Sequence, residues 1–119
     1  MIVSLDDYRG IVDDSVLSSI YTKATKLIDR HIVNISSTYQ GGGVAEILHS
    51  LIMLMNDASI DAGWRILPGT PGFFTTTKRM HNALQGEAVD MELINKVFYV
   101  DNNHKFTKFT HITHDCVVV

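Results

Sequence analysis

Three consecutive glycines, Gly41-Gly42-Gly43, separate a β-branched, apolar segment from an amphipathic one. The segment before them, 31–38, has the composition of a strand. Behind them, apolar residues repeat at helical spacing: Val44, Ile47, Leu48, Leu51, Ile52 and Met55. A second strand is predicted over 61–67, closed by Pro68-Gly69. Because the span between the strands is that of a βαβ unit, the two are predicted to be parallel neighbours.

The remaining segments continue an α/β pattern. A helix is predicted over 14–30, and another begins after Thr70-Pro71 and ends near Gly86. A further helix is predicted to begin at Asp90 with the apolar set Met91, Ile94, Val97 and Phe98, whereas 102–113 fits no single element. The run 116–119 is predicted as a strand covered on both faces. We therefore expect a partial Rossmann-like, three-layer α/β fold, with a mostly parallel sheet, helices on both faces and an incomplete C-terminus.

Composition excludes several classes of protein. The chain has 119 residues, one domain's worth, with 45% hydrophobic and 19% charged residues, which excludes a disordered chain. A net charge of −3 provides no excess positive field for nucleic acid or an anionic membrane. Cys116 is the single cysteine, so a disulfide-built secreted fold is excluded. Because there is no signal-peptide pattern and no long apolar run, we expect a cytoplasmic location.

The glycine triplet is the strongest candidate for chemistry. Glycines let the backbone turn sharply and let a ligand approach the N–H groups, and the following helix directs its positive dipole end there. The spacing matches neither the Gly-x-Gly-x-x-Gly fingerprint nor a phosphate-binding Walker loop. The Glu46 carboxylate, in the first helical turn, interacts favourably with the helix dipole but would repel a close anion. A ligand-binding loop and a flexible turn both remain open from these residues alone.

Other polar and aromatic residues allow two interpretations. His81, Asn82 and Gln85 supply donors and acceptors suited to sugar hydroxyls, although composition alone favours an exposed helix end. His49 is predicted to be packed and hydrogen-bonded rather than catalytic. The histidines near the C-terminus lack a completing pair, so no metal site is predicted. Three aromatic residues either belong to the core, which is favoured, or stack on a sugar: Trp64, Phe73 and Phe74.

Two blocks of the sequence resemble one known family. The run 34–51 resembles the N-terminal segment of trehalose synthases of the nucleotide-sugar-dependent, glycosyltransferring type. Phe73-Phe74 followed by 77–86 resembles the next block of that family, and 7–11 also fits. The resemblance implies a retaining glycosyltransferase with two Rossmann-like domains, the GT-B arrangement. Such enzymes transfer glucose from a nucleoside-diphosphate glucose to glucose, with Mg²⁺ in the full-length family.

For this chain, the resemblance implies that residues 1–119 are one acceptor-side, N-terminal domain and that the donor-binding domain is absent. The implied substrate-binding residues are Gly41, Gly42, Gly43, Glu46, His81, Asn82 and Gln85, and no catalytic residue is assigned. Glucose or trehalose, and nucleoside-diphosphate glucose in the full enzyme, are the implied ligands, with no cofactor bound by this chain alone. The fragment is expected to be inactive, because the cations that stabilise the departing diphosphate belong to the other domain.

Two alternatives remain open. One is a stand-alone module that binds a sugar or nucleotide. The other is an assembly domain in which the edge at Val117–Val119 pairs with another copy, giving a homo-oligomer.

Overall fold

The computed structural model describes residues 4–119 and contains an open, three-stranded parallel sheet. The strands are β1 (His31–Ser36), β2 (Asp61–Ile66) and β3 (Cys116–Val118), in the order β2-β1-β3. Val33 of the central strand lies opposite Gly63 on β2 and Val117 on β3. The predicted parallel pairing of the first two strands is confirmed, and the α/β class agrees with a partial Rossmann-like fold.

Within the described residues, four α-helices accompany the sheet: α1 (Asp14–Ala24), α2 (Gly43–Asp57), α3 (Pro71–Leu84) and α4 (Leu93–Phe109). Short 3₁₀ helices span Leu5–Tyr8 and Thr25–Leu27. The chain divides into two compact units. The first comprises the residues up to Ile66 together with Ile112–Val119, and the second comprises Leu67–His111.

In the first unit, α2 connects β1 to β2 and packs on the sheet. Its Ala45 and Leu48 are buried, as are Ile32 and Val33 of β1. A second apolar cluster joins α1 to the end of α2 and contains Leu5, Leu17, Ala24 and Ala58. The helical and alternating apolar patterns thus supply the buried faces that hold this unit together.

The second unit is a pair of packed helices. Phe73 of α3 is buried and stacks on Tyr99 of α4, with ring centroids 6.0 Å apart. Thr76 has no exposed surface and its hydroxyl oxygen accepts a hydrogen bond of 3.3 Å from the amide of Asn95. As predicted, Thr70 caps α3, since its hydroxyl accepts from the N–H of Phe73, and Pro71 occupies the first helical position.

Helix α4 differs from its prediction in both position and length. Its N-cap is Glu92 rather than Asp90, because the Asn95 side chain accepts from the Glu92 N–H at 3.0 Å and fixes the first turn there. It also runs through 102–109, for which the sequence made no prediction. Asn102 is buried and donates to the Pro68 carbonyl at 2.9 Å, a contact 34 residues distant along the chain.

Two further predictions need correction. Helix α1 ends at Ala24, not at residue 30, and tightens into the 3₁₀ turn Thr25–Leu27, where the Thr25 hydroxyl donates to the Thr22 carbonyl. The expectation that the third strand is covered on both faces is wrong. Strand β3 lies at the sheet edge, so Val117 and Val118 are 45% and 48% exposed.

Asp115 fastens β3 to the amino end of β1. Its carboxylate accepts from the His31 backbone N–H at 2.9 Å, while its own N–H donates to the His31 carbonyl. The Arg30 guanidinium lies 3.3 Å from the same carboxylate. The His31 hydrogen bond, assisted by Arg30, lowers the pKa of Asp115 below its ordinary value of 3.8.

This lowered pKa makes β3 attachment sensitive to acid. The stabilisation by Asp115 is fully present above pH 3.8 and is lost as pH falls through the lower pKa of the folded state. We expect Asp115→Asn to lower the melting temperature at neutral pH and to flatten its decline on acidification, measured by circular dichroism between about pH 2 and pH 6. Asp13→Asn is the control, because Asp13 makes no side-chain cap hydrogen bond. Equal pH profiles for Asp115→Asn and wild type would contradict this assignment.

Candidate functional site

A cleft of about 390 Å³ opens where β1 ends and α2 begins, entirely within the first compact unit. Its walls come from the end of β1, the glycine loop, the first turn of α2 and the residue after β3. The lining residues are Ile35, Ser36, Ser37, Thr38, Gly41, Gly42, Gly43, Val44, Ala45 and Val119. In open α/β sheets, ligands bind beyond the carboxyl ends of the strands, and this cleft occupies that place.

The loop requires glycine at two of its three glycine positions. Gly41 and Gly42 have φ of +75° and +83°, and with ψ of 151° Gly42 occupies a region that is nearly exclusive to glycine. Gly43 is the first residue of α2 and lacks a positive φ. A Cβ on any of the three would meet no atom within 4 Å, so backbone conformation and not crowding makes glycine necessary at 41 and 42.

The first turn of α2 presents backbone amides to the cleft. The helix starts at Gly43 without a side-chain cap, and Gly43, Val44 and Ala45 all line the cleft. The unsatisfied N–H groups of a first helical turn, with the positive dipole end, favour a phosphate or a partly negative sugar oxygen. None of the described lining residues has a charged side chain. The attraction for an anion here comes from backbone dipoles.

The other predicted residue of this block, Glu46, is in the first turn of α2 and exposed, but it is not part of the cleft wall. The structure therefore brings together Gly41, Gly42 and Gly43 and leaves Glu46 outside. The carboxylate is in the turn where it favours the helix dipole.

Sequence reasoning missed a side-chain cluster beside the loop. The rings of Tyr39 and His49 meet Trp64 edge-on, with centroid separations of 4.8 and 5.0 Å. His49 is exposed, and its ring is hydrogen-bonded to the Tyr39 carbonyl, which confirms the predicted hydrogen bonding. Trp64 is half-buried at this site. The predicted parallel pairing could have indicated it, since Trp64 lies opposite Asn34 near the end of β1.

The second predicted block lies in the other compact unit, at the end of α3. Asn82 is half-buried and lines a cleft of about 440 Å³ together with Arg79 and the segment 87–90. His81 and Gln85 are exposed, and they do not line this cleft. As predicted, the helix stops beside Gly86, which has φ of +94°. Of the three predicted sugar contacts, the structure places Asn82 in a concave site. Of the nearby aromatics, Phe73 is buried, whereas Phe74 is 37% exposed.

None of the described residues in the glycine cleft wall offers Mg²⁺ a carboxylate side chain. Mg²⁺ is bound in proteins through one or two carboxylates together with waters and substrate phosphates. Within residues 4–119, no three His, Cys, Asp or Glu side chains converge on a common point. The glycine cleft contributes none of these side chains to its described wall, so no step is assigned to a metal. Over the same range, no helix is both long and apolar enough to cross a bilayer.

An open parallel sheet whose first strand runs through a glycine turn into a helix N-terminus defines an α/β domain of partial Rossmann-like fold. Within that class, residues 34–119 match the family described as the N-terminal domain of trehalose synthase. The chain belongs to this family.

Individual relatives support the same assignment. The chain is 54% identical over 82 residues to a trehalose synthase of Thermococcus litoralis, which covers 69% of this chain and 20% of that protein. It is 42% identical over 110 residues to a trehalose synthase of Pyrococcus horikoshii, covering 92% and 26%. A trehalose phosphorylase of Grifola frondosa is 38% identical over 90 residues, covering 74% and 12%. The chain thus spans about a quarter or less of the length of these relatives.

The backbone angles predict different tolerances at neighbouring glycines. Gly42→Ala should lower the free energy of unfolding by about 1–3 kcal/mol, because alanine is strained at this φ and ψ. Gly43→Ala has free space and helical backbone, so it should stay within about 1 kcal/mol of wild type. Urea unfolding followed by circular dichroism measures both. Equal losses for the two variants would contradict the role assigned to backbone conformation.

Proposed function

We propose that this chain supplies the glycine-loop half of a glucosyl transfer site, in which glucose passes from a nucleoside-diphosphate glucose to free glucose and forms trehalose. The observation that supports this proposal most is the cleft at the end of β1, lined by the glycines of a block that matches the trehalose synthase N-terminal domain. The description of the matching family names trehalose as the product. The exposed start of α2 supplies N–H groups suited to a phosphorylated donor.

The loop acts through its backbone. In the transfer, the bond between the glucosyl C1 and the diphosphate breaks, and its electron pair leaves with the nucleoside diphosphate. The acceptor hydroxyl bonds to C1 with retention of configuration, and its proton passes to the oxygen of the departing nucleoside diphosphate. The N–H groups at Gly43, Val44 and Ala45 stabilise negative charge on the donor phosphate, and the missing side chains at 41 and 42 allow close approach.

The end of α3 provides the second set of proposed contacts. Asn82 in its polar cleft, with the exposed His81 and Gln85, hydrogen-bonds sugar hydroxyls through amide and imidazole groups. These side chains both donate and accept, as hydroxyl recognition requires. Glu46 has no direct sugar contact in this proposal, because it lies outside the cleft wall.

The cationic groups that stabilise the departing diphosphate are proposed to lie outside this chain. A departing diphosphate needs cationic stabilisation, and none of the described residues lining the glycine cleft is Lys or Arg. We assign those cations, and any Mg²⁺ requirement, to a donor-binding domain of a two-domain GT-B enzyme. The single cysteine is consistent with a cytoplasmic setting for the reaction.

Ligand titration tests the site. We expect amide signals of Gly41–Ala45 to shift in NMR spectra when ADP-, GDP- or UDP-glucose is added, with a Kd on the order of 1 mM. Gly43→Asp should abolish these shifts by placing a carboxylate in the cleft, whereas the equally sized, neutral Gly43→Asn should retain them. No shift at these amides in wild type would refute the proposed site. Micromolar binding would instead favour the stand-alone binding module.

A transfer assay tests whether the reaction needs cationic groups from outside this chain. We expect the 119-residue chain alone to form no trehalose from a nucleoside-diphosphate glucose and glucose, because its cleft wall lacks cations. Enzymatic or chromatographic detection of trehalose would measure this, with a full-length trehalose synthase as the positive control. Trehalose production by the purified chain would show that the cationic machinery is not required from elsewhere.

A further inference from the structure

Trp64 connects the second strand to the glycine loop through a relay of hydrogen bonds. Its indole Nε1–H donates to the Ser36 hydroxyl oxygen at 2.8 Å. The Ser36 hydroxyl in turn donates to the carbonyl of Thr38 at 2.9 Å. The indole N–H can only donate, so the Ser36 hydroxyl accepts from Trp64 and donates to Thr38. These two hydrogen bonds hold the backbone immediately after β1.

His49 holds the next residue of the loop from the side of α2. Its Nε2 lies 2.8 Å from the carbonyl oxygen of Tyr39. A carbonyl can only accept, so Nε2 carries a hydrogen in this contact, which the Nε2–H tautomer and the cation both provide. The imidazole also packs edge-on against Trp64, so the two ring systems brace each other.

Thr38 completes the attachment within the loop. Its hydroxyl donates to the Gln40 carbonyl at 2.7 Å and accepts from the Gln40 N–H at 3.1 Å. Side-chain hydrogen bonds therefore hold Ser36, Thr38, Tyr39 and Gln40, up to the start of the glycines. An exposed glycine segment is otherwise free to sample many conformations, which lowers the fraction competent to bind.

We propose that Trp64, His49 and Ser36 form a clamp that positions the glycine loop for ligand, so that these residues act through the loop and not on the substrate. The effect of the clamp on ligand affinity rests on the proposed function, but the clamp itself can be tested without ligand. The clamp would raise affinity by keeping the free loop in its binding conformation.

The first experiment measures loop order in the ligand-free 119-residue chain. His49→Leu removes the donor and keeps a side chain of similar bulk, whereas His49→Gln supplies another N–H donor. We expect amide exchange by NMR at Gln40, whose N–H donates to the Thr38 hydroxyl, to accelerate roughly threefold to tenfold in His49→Leu and to recover in His49→Gln, with Val33 unaffected. His111→Leu is the matched control, because His111 is exposed and lies in the other unit. Unchanged loop exchange, or equal acceleration at Val33, would overturn the clamp.

Trp64→Phe gives an independent variant, because it keeps an aromatic ring and removes the Nε1–H. It should accelerate exchange at the hydrogen-bonded Gln40 amide to a similar degree. The single tryptophan of the chain also reports on the loop, since iodide should quench Trp64 fluorescence more strongly in His49→Leu than in His49→Gln. Indistinguishable quenching in the two His49 variants would count against the clamp.

The second experiment links the clamp to binding. For whichever of ADP-, GDP- or UDP-glucose shifts the loop amides of wild type, His49→Leu should raise Kd roughly threefold to tenfold and His49→Gln should restore it. Equal Kd values in wild type and His49→Leu would overturn the positioning role. If wild type binds none of the three, the proposed function fails, and the exchange measurements still decide whether the clamp exists.

Discussion

Strand β1 is the constraint on which the first compact unit depends. It pairs in parallel with β2 on one side and β3 on the other, and Val33 at its centre has no exposed surface. A slip of one residue in its register would exchange the two faces of the strand and misplace Ile32, Val33 and Asn34, which are all buried. The same strand delivers the glycine loop at its carboxyl end, so the position of the candidate site follows from the burial of β1.

The two ends of β1 use different electrostatics. At the amino end, ionisable side chains surround the strand start: Arg30, His31, Asp61 and Asp115. At the carboxyl end, the described residues of the cleft wall have no charged side chain, and the first turn of α2 provides backbone dipoles. Ion pairs hold the edge strand at one end, while at the other end the N–H groups remain available to an anionic ligand.

The glycine loop has a flexible backbone, but hydrogen bonds hold the residues just before it. Gly41 and Gly42 permit backbone angles that other residues rarely adopt, but they also leave the unbound loop with high conformational entropy. The hydrogen bonds from Trp64 and His49 immediately upstream restrict that freedom without placing a side chain among the glycines. A loop of this kind can allow close ligand approach and still be largely preorganised.

The sequence by itself determined the local elements of the chain and its family. Helical spacing, the glycine stop and the Thr70 cap act within a few residues, and the motif blocks around 34–51 and 77–86 carried the resemblance that the family match confirmed. Only the tertiary structure decided the strand order β2-β1-β3, the exposure of β3 and the start of α4 at Glu92. It also decided the cluster of Tyr39, His49 and Trp64. These features depend on contacts between residues far apart in the chain, and such contacts form only when the elements pack together.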